Sequence, residues 1–487
     1  MIEITCIADN KEIKISCEEG KNLLGVLKEN DIHLSAPCGG KGRCGRCLVS
    51  YNGREVLACR TLADKGGHLE IPSDNFDFSE SDKSINKADV SHRTGIAVDI
   101  GSTTIALELL DLDARKVIAE KTTTNHQRIF GADVISRIDA AVMGHALELK
   151  NTVQKDICGA IDALCDAAGI AVSDVDEIAL AANTTMLHLL QGMDVSGLAS
   201  YPFEPESLEY READAAEVLG SGFKGNAKCR IVPGISAFVG ADIAAGIYAL
   251  GMMDEKQCTA MIDFGTNGEM VLKKGDTIYA ASTAAGPAFE GGNISCGMGS
   301  VDGAVYGFSF DGGIKTIGGS EPIGICGTGL IELIAELRRH GKIDENGVLT
   351  DEYHDTGFVV ADGKRKVKLT QKDIHEFLLA KSAVRAGFDT LLEEAGIDDE
   401  SDMLLYLSGG FGSHLNIKEA AYIGLVDERF TENAVAAGNT SLMGAARLLM
   451  EGDEGVEALK EIVESTKILE LANIEGFNIK YINGMRL

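Results

Sequence analysis

Four cysteines crowd into one short stretch of the chain. Cys38, Cys44, Cys47 and Cys59 read C-x5-C-x2-C-x11-C. Thiolates at such spacing hold a metal. Structural zinc usually takes two C-x2-C pairs, and only one pair is present. A lone fourth cysteine on the following strand matches iron–sulfur ligation of the C-x4-C-x2-C…C type, with one extra residue in the first gap. The loop carries Gly39, Gly40, Gly42 and Gly45. Small residues let the backbone wrap closely and aim N–H groups at bridging sulfides. Four reduced cysteines or a zinc knuckle is the alternative reading.

A second set of residues suits phosphate. Ile96–Thr104 and Met261–Glu269 share one pattern: an apolar strand, an aspartate (Asp99, Asp263), a glycine two positions on (Gly101, Gly265), then hydroxyl and polar residues. These are Ser102, Thr103 and Thr104 in the first copy, and Thr266, Asn267 and Gly268 in the second. The glycine permits a tight turn, and successive N–H and hydroxyl groups can cradle a phosphate. An aspartate at the strand end can hold Mg²⁺ directly or through water. A third glycine loop, Ser408, Gly409, Gly410 and Gly412, follows the apolar run at 404–407 and suits close approach of a base or ribose. Asp242 stands in an otherwise apolar helical stretch and is a weaker candidate for the same metal. Its alternative is a solvent-facing acid.

These residues need rigid elements behind them. Alternating strands at Ile2–Ile7 and Glu12–Cys17 flank an Asp9–Asn10 turn, and a helix follows at about Lys21–Glu29. Cys6 and Cys17 sit among apolar neighbours there and read as core thiols. Residues 73–93, with five serines and no glycine or proline, read as a flexible linker between a compact module, 1–72, and a long α/β body. The two aspartate hairpins lie 164 residues apart. That spacing implies two similar lobes, 94–250 and 251–487. Helices are expected at Gly131–Met143, Lys150–Ala168, Ile325–Arg339 and Lys372–Ala395. Cys158 and Cys165 share the apolar face of the second of these and read as core.

Composition excludes several classes. The 487 residues carry a formal charge of −30, which phosphodiester backbones would repel, so nucleic acid is not an expected partner. Basic tracts for anionic membranes are absent. The residues Met1–Asn10 lack the basic and apolar regions of a signal peptide. The apolar run Ile231–Met253 is broken by Pro233, four glycines and Asp242, so it reads as a buried strand and helix rather than a span. Scattered cysteines outside the loop fit a cytoplasmic protein with core thiols.

The first 72 residues resemble the β-grasp [2Fe–2S] ferredoxin domain, which implies Cys38, Cys44, Cys47 and Cys59 as cluster ligands. The body resembles the actin-like ATPase (ASKHA) superfamily. That resemblance implies Asp99–Thr104 and Asp263–Glu269 as phosphate loops and Ser408–Ser413 as the adenosine motif, with ATP and Mg²⁺ bound between the lobes. It also implies Ile231–Leu250 and Asn439–Leu449 as helices that cross between lobes, and Asp99, Asp263 and Asp242 as catalytic carboxylates. The strings Asn125–Gln127, Gly131–Ile138, Ala182–His188, Ala285–Gly292, Ile325–Gly329 and Leu369–Asp373 narrow the likeness further. Together they are similar to the ATP-dependent reductive activators of corrinoid enzymes. This implies electron transfer from the cluster to a corrinoid protein or corrinoid-dependent methyltransferase, returning Co(II) to Co(I). It also implies a low-potential electron donor and a homodimer. Better-known members carry an extra domain between the ferredoxin and ATPase parts, and only residues 73–93 stand there. An ATP-driven donor to another low-potential enzyme such as a dehydratase, or a small-molecule kinase with a redox-sensing domain, is the alternative.

Single residues carry open readings. Asn183 and Thr184 could line the cleft or cap the helix that follows. Glu290 could contact nucleotide or partner, or lie in a plain surface turn. Cys296 and Cys326, beside glycine turns, could ligate a cluster between subunits or be ordinary thiols.

A tether of 21 residues spans roughly 25 Å as a coil, at ~5–6 Å times the square root of length. Replacing residues 73–93 by five residues cuts the reach to ~17 Å at ~3.3 Å each. That variant should keep its cluster and its ATP hydrolysis but reduce cobalt at least tenfold more slowly. The measurement is Co(I) absorbance in the partner under excess reductant and ATP, and an unchanged rate would show that the tether has no mechanical role.

Overall fold

The structure is a computed structural model that describes residues 2–8, 11–30, 32, 34, 47–71, 93–131, 133–363, 365–397, 403–409 and 415–487. The Asp9–Asn10 turn and residues 73–92 of the expected linker lie outside the described residues.

The N-terminal module is built on hydrophobic alternation. Strands β1 (Ile2–Ala8) and β2 (Lys11–Cys17) form an antiparallel hairpin that buries Ile4, Cys6, Ile15 and Cys17. The cysteine side chains are core thiols, as their apolar neighbours require. The short strand β3 (Lys21–Asn22) leads into the helix Leu23–Glu29, which buries Leu23, Leu24, Val26 and Leu27 on the sheet. Next come β4 (Leu48–Tyr51), β5 (Arg54–Leu57), β6 (Leu62–Ala63) and β7 (Gly67–Glu70). The sheet order is β2-β1-β7-β4-β5, with β1 and β7 parallel. This is a β-grasp sheet with its helix on one face, and β3 pairs with β6 beside it.

The body holds two sheets with one plan. The first contains β8 (Thr94–Ile100), β9 (Thr104–Asp111), β10 (Lys116–Thr124), β11 (Glu177–Ala182), β12 (Arg211–Asp214) and β13 (Lys228–Ile231). Its order is β10-β9-β8-β11-β13-β12. The second contains β14 (Thr259–Phe264), β15 (Gly268–Lys274) and β16 (Thr277–Thr283). A side sheet, β17 (Ala304–Ser309), β18 (Gly313–Thr316) and β19 (Gly324–Ile325), and a hairpin, β20 (Phe358–Asp362) with β21 (Lys366–Leu369), interrupt the chain there. It then resumes with β22 (Leu404–Gly409), β23 (Ala434–Gly438) and β24 (Thr466–Ile468), giving the order β23-β22-β14-β15-β16-β24. In each sheet three strands form an antiparallel meander, a fourth pairs parallel to the first of them, and a fifth pairs parallel to the fourth. A long helix, Ala146–Ala168 or Gln371–Glu394, joins the meander to the parallel strands. The duplication inferred from two aspartate hairpins therefore extends through whole lobes. Strands β8 and β14 are central and almost wholly buried, which their continuous apolar runs require. Each carries its aspartate as the penultimate residue.

The helices Ala241–Leu250 and Thr440–Glu451 follow β13 and β23 and cross one another. The first begins ten residues later than Ile231. Pro233 and Gly234 end β13 in a loop, and only after Gly240 does the helical run start. Likewise the expected helix at Gly131–Met143 runs Val134–Ala140, and Gly144 at φ 105° breaks it from Ala146–Ala168. Among the described residues no helix is long and apolar enough to cross a membrane.

The crossing depends on small residues. A Cβ on Gly444 would lie 2.1 Å from the Ala245 carbonyl oxygen, and one on Gly246 would lie 2.8 Å from Thr440 Oγ1. Gly159, in the helix Ala146–Ala168, faces open space. Gly444→Ala should therefore cost about 1–3 kcal/mol by overpacking. Gly159→Ala should instead add roughly 0.5–1 kcal/mol through helix propensity. Unfolding midpoints in urea would check both signs. A Gly444→Ala protein as stable as the parent would contradict the close crossing.

Candidate functional site

The two aspartate hairpins face one cleft. In the first, Asp99 pairs with Ala106 and Ile100 with Ile105, leaving Gly101–Thr104 as the turn. Gly101 N–H donates to the Thr104 carbonyl at 2.9 Å. In the second, Asp263 pairs with Glu269 and Phe264 with Gly268, leaving Gly265, Thr266 and Asn267. Thr103 and Thr104 are exposed, and Gly265, Thr266 and Asn267 are half-buried.

One helix N-terminus holds both aspartates. Asn439 caps the helix Thr440–Glu451 by accepting from Leu442 N–H at 2.9 Å. Its Nδ2 donates to Asp99 Oδ2 at 2.8 Å, and Ser441 Oγ donates to Asp99 Oδ1 at 2.7 Å. Between them, Thr440 Oγ1 lies 2.7 Å from Ser408 Oγ, which lies 2.7 Å from Asp263 Oδ2. A carboxylate only accepts, so Ser408 donates to Asp263 and receives from Thr440. Asp242 sits in the first turn of the other crossing helix. Both helices thus present positive dipole ends to the cleft.

The acids of this cleft crowd one another. Burial raises the Asp99 carboxyl above the usual range, and the bonds from Ser441 and Asn439 offset part of this. Burial pushes Asp263 up to about 6, against the Ser408 bond and with help from the Asp99 charge. Asp242 and Glu269 are raised by burial and then by neighbouring acids, Asp263 among them in both cases. Glu290 is raised by burial, while Thr266 Oγ1, donating to it at 2.6 Å, pulls it down. None of these five carboxylates has an ion-pair partner among the described residues. Half-buried negative charge crowded in this way calls for a cation. No three His, Cys, Asp or Glu residues among those described sit closely enough to chelate one ion. A divalent ion here fits the Mg²⁺ pattern instead, with one or two carboxylates completed by phosphate oxygens and water.

Several expected residues find their places. Asp242 faces the acid cleft, not solvent, and Glu290 is drawn in by Thr266 instead of lying in a plain surface turn. Asn183 is a helix cap, accepting from Met186 N–H at 3.0 Å, and Thr184 bonds the Ser236 carbonyl at 2.6 Å. Cys296 and Cys326 are buried thiols bonded to backbone carbonyls, and Cys158 and Cys165 are core. Gly409 has φ 101°, and a Cβ there would lie 2.6 Å from the Phe264 carbonyl. The close approach that demands glycine is by the neighbouring strand. Gly410 and Gly412 lie outside the described residues. Sequence reasoning placed Asn439, Thr440 and Ser441 in a crossing helix and Glu269 in the second phosphate loop, but gave their side chains no role. Hairpin register, which sets Glu269 opposite Asp263, could have found the last.

At the other end of the molecule, Cys47 Sγ and Cys59 Sγ lie 3.1 Å apart, well beyond the ~2.05 Å of a disulfide. Cys47 is buried just before β4, and Cys59 lies in the turn Ala58–Arg60. Ala58 N–H donates to the Cys47 carbonyl at 2.8 Å, and Asn22 Nδ2 donates to the Cys59 carbonyl at 2.7 Å. Two converging thiols on a β-grasp sheet fit an iron–sulfur cluster. Cys38 and Cys44 lie outside the described residues.

Comparison with known proteins agrees on both ends. Residues 7–67 match the 2Fe-2S iron–sulfur cluster binding domain, 94–255 the RACo middle region, and 257–487 the C-terminal domain of RACo, the ASKHA domain. The middle-region match coincides with the first lobe, and residues 68–93 are all that stand between it and the 2Fe-2S match. The chain is 31% identical over 417 residues to the corrinoid activation enzyme RamQ of Eubacterium limosum, covering 80% of this chain and 69% of that protein. It is 28% identical over 429 residues to the [Co(II) methylated amine-specific corrinoid protein] reductase of Methanosarcina barkeri, covering 80% and 76%. A solved reductive activator for corrinoid, iron–sulfur protein superposes with a TM-score of 0.77 at 26% identity, over 100% of this chain and 98% of that one.

Cys47→Ser should abolish the visible absorbance and the EPR signal of a [2Fe–2S] cluster and leave ATP hydrolysis within about twofold. One zinc per chain in the parent protein, with no iron, would overturn the cluster assignment.

Proposed function

The chain belongs to the family of reductive activators of corrinoid proteins, and from that premise we propose that it hydrolyses ATP to drive one electron from its cluster to Co(II) of a corrinoid protein, giving Co(I). The observation that carries this reading is the union, in one chain, of a paired-thiol β-grasp module with a two-lobed cleft of opposed aspartates. Bound by Cys38, Cys44, Cys47 and Cys59, the cluster supplies a one-electron couple, near about −400 mV for the plant type. Each 100 mV uphill costs about 2.3 kcal/mol per electron. ATP can supply that only by binding two states of the protein with different affinity.

The residues of the cleft suit that task. Gly101–Thr104 and Gly265–Gly268 receive phosphates from the two lobes. Asp99 and Asp263 would hold Mg²⁺ and orient the attacking water, with Asp242 as a further acid near both. Ser408, Gly409, Gly410 and Gly412 border the adenosine. The link Thr440–Ser408–Asp263, beside Asn439 and Ser441 on Asp99, ties closure of the lobes to the helix crossing. A low-potential donor reloads the cluster. A homodimer would cover exposed apolar side chains such as Ile479 and Ile482. A cytoplasmic setting is supported by the buried thiols of Cys158, Cys165 and Cys229.

Asp263→Ala should lower MgATP hydrolysis by on the order of a hundredfold or more, since a carboxylate beside the reacting phosphate is removed. ATP-driven appearance of Co(I) absorbance should fall in parallel, while the cluster spectrum stays. Hydrolysis at the parental rate would move the role to Asp99 or Asp242.

A further inference from the structure

A buried cation lies behind the first phosphate turn, with Asp133 acting on it only through space. Arg137 is fully buried on the helix Val134–Ala140 and makes no ion pair among the described residues. Burial lowers its pKa to about 10, so it stays protonated at neutral pH. Its Nε donates to the Gly131 carbonyl at 3.0 Å, its Nη1 approaches Met186 Sδ at 3.2 Å, and its Nη2 donates to the Ser102 carbonyl. Asn125 does the same one residue earlier. Its Nδ2 donates to the Gly101 carbonyl at 2.9 Å and lies 3.8 Å from the same Met186 sulfur. Asn125 N–H donates to the Thr103 carbonyl at 2.9 Å.

Peptide planarity turns these bonds into a statement about the front of the turn. In a trans peptide the C=O and N–H point in opposite directions. Gly101 and Ser102 both aim their carbonyls back at donors gathered around Met186. The N–H groups of Ser102 and Thr103 must therefore aim away, toward the cleft side. Neither has a protein acceptor among the described residues. Two adjacent forward-facing amides form an anion-binding concavity. The guanidinium bond also polarises the Ser102–Thr103 peptide, which makes its N–H a stronger donor.

We propose that Arg137 and Asn125 are positioning residues that hold the Gly101–Thr104 turn with its amides toward the terminal phosphates of the nucleotide. The inference rests on the reading that this turn takes phosphate. It assigns a task to two strings otherwise unused in the mechanism, Asn125–Gln127 and Gly131–Ile138. A buried arginine that merely packed the lobe would not select among ligands. One that orients amides changes affinity only for ligands that carry phosphates there.

Equilibrium binding of MgATP and of adenosine to the full chain separates these roles. Arg137→Lys keeps the charge but not the fork, and Asn125→Asp keeps the acceptor for Gln127 N–H while removing the donor. Each should weaken MgATP at least tenfold and leave adenosine within twofold, which also reports a folded cleft. Gly101→Ala is the control for the turn itself, because a Cβ there would lie 2.7 Å from the Thr104 carbonyl. MgATP affinity lost in Gly101→Ala but kept in both other variants would overturn the positioning role and leave the phosphate turn standing. Equal loss of MgATP and adenosine in Arg137→Lys and Asn125→Asp would overturn it too, as plain structural damage. Affinity kept in all three would dismiss the phosphate turn and the proposal with it.

Discussion

Asp99 and Asp263 stand one residue before the ends of the central strands of different lobes, and as carboxylates they repel. What keeps them in one cleft is the N-terminus of the helix Thr440–Glu451. Asn439 and Ser441 bond both oxygens of Asp99, and Thr440 reaches Asp263 through Ser408. Three consecutive residues, 340 positions from Asp99, thus set the distance between the two acids. They can do so only because the helix lies against its partner with backbone nearly touching backbone at Gly444 and Ala245. Any side chain at that crossing would move the helix end and both aspartates with it.

The same constraint explains why the cleft suits a metal–nucleotide complex better than a nucleotide alone. Asp99, Asp242, Asp263, Glu269 and Glu290 already crowd, and burial raises all five. A bare polyphosphate would add negative charge to a site short of cations. A divalent ion entering with it neutralises both partners. The helix dipoles and the forward-facing amides of the first turn add fixed positive ends that need no reorganisation.

What was legible in the sequence was local. The hairpin turns were, because an aspartate followed by glycine and hydroxyls has little other use after a buried strand. The core thiols Cys6, Cys17, Cys158 and Cys165 were too, because each repeats the period of its own element. The tripeptide Asn439–Ser441 was not, because its role exists only once two lobes have closed around it. Asn439 reads as an ordinary helix cap, and it is one, while its amide does something else. Glu290 was legible only as two open readings, because an acid in a glycine-flanked turn looks like surface until Thr266, on the second aspartate hairpin, donates to it. The helix Ala241–Leu250 starts later than the range 231–250 that the resemblance implied, and at the division by Pro233 and Gly240 that the residues themselves show.

The two ends of the chain impose unlike demands. A cluster transfers an electron efficiently only when it comes close to its acceptor, whereas an ATPase cleft works by moving lobes that carry nothing redox-active. The fold keeps these demands apart. The thiol pair Cys47–Cys59 is anchored within its own small core, by Asn22 and the backbone of Ala58. The aspartate cleft is anchored by the crossing helices of the body. An exposed ion pair, Glu55 with Lys116, joins module and body. On the proposed reading ATP acts where the lobes close, and its effect on the electron passes through what the body does to the protein it holds. A one-electron step opposed by a few hundred millivolts is within reach of such a device, at about 2.3 kcal/mol per 100 mV. Differential binding of that size is what a cleft with opposed acids, two helix ends and two phosphate turns is built to produce.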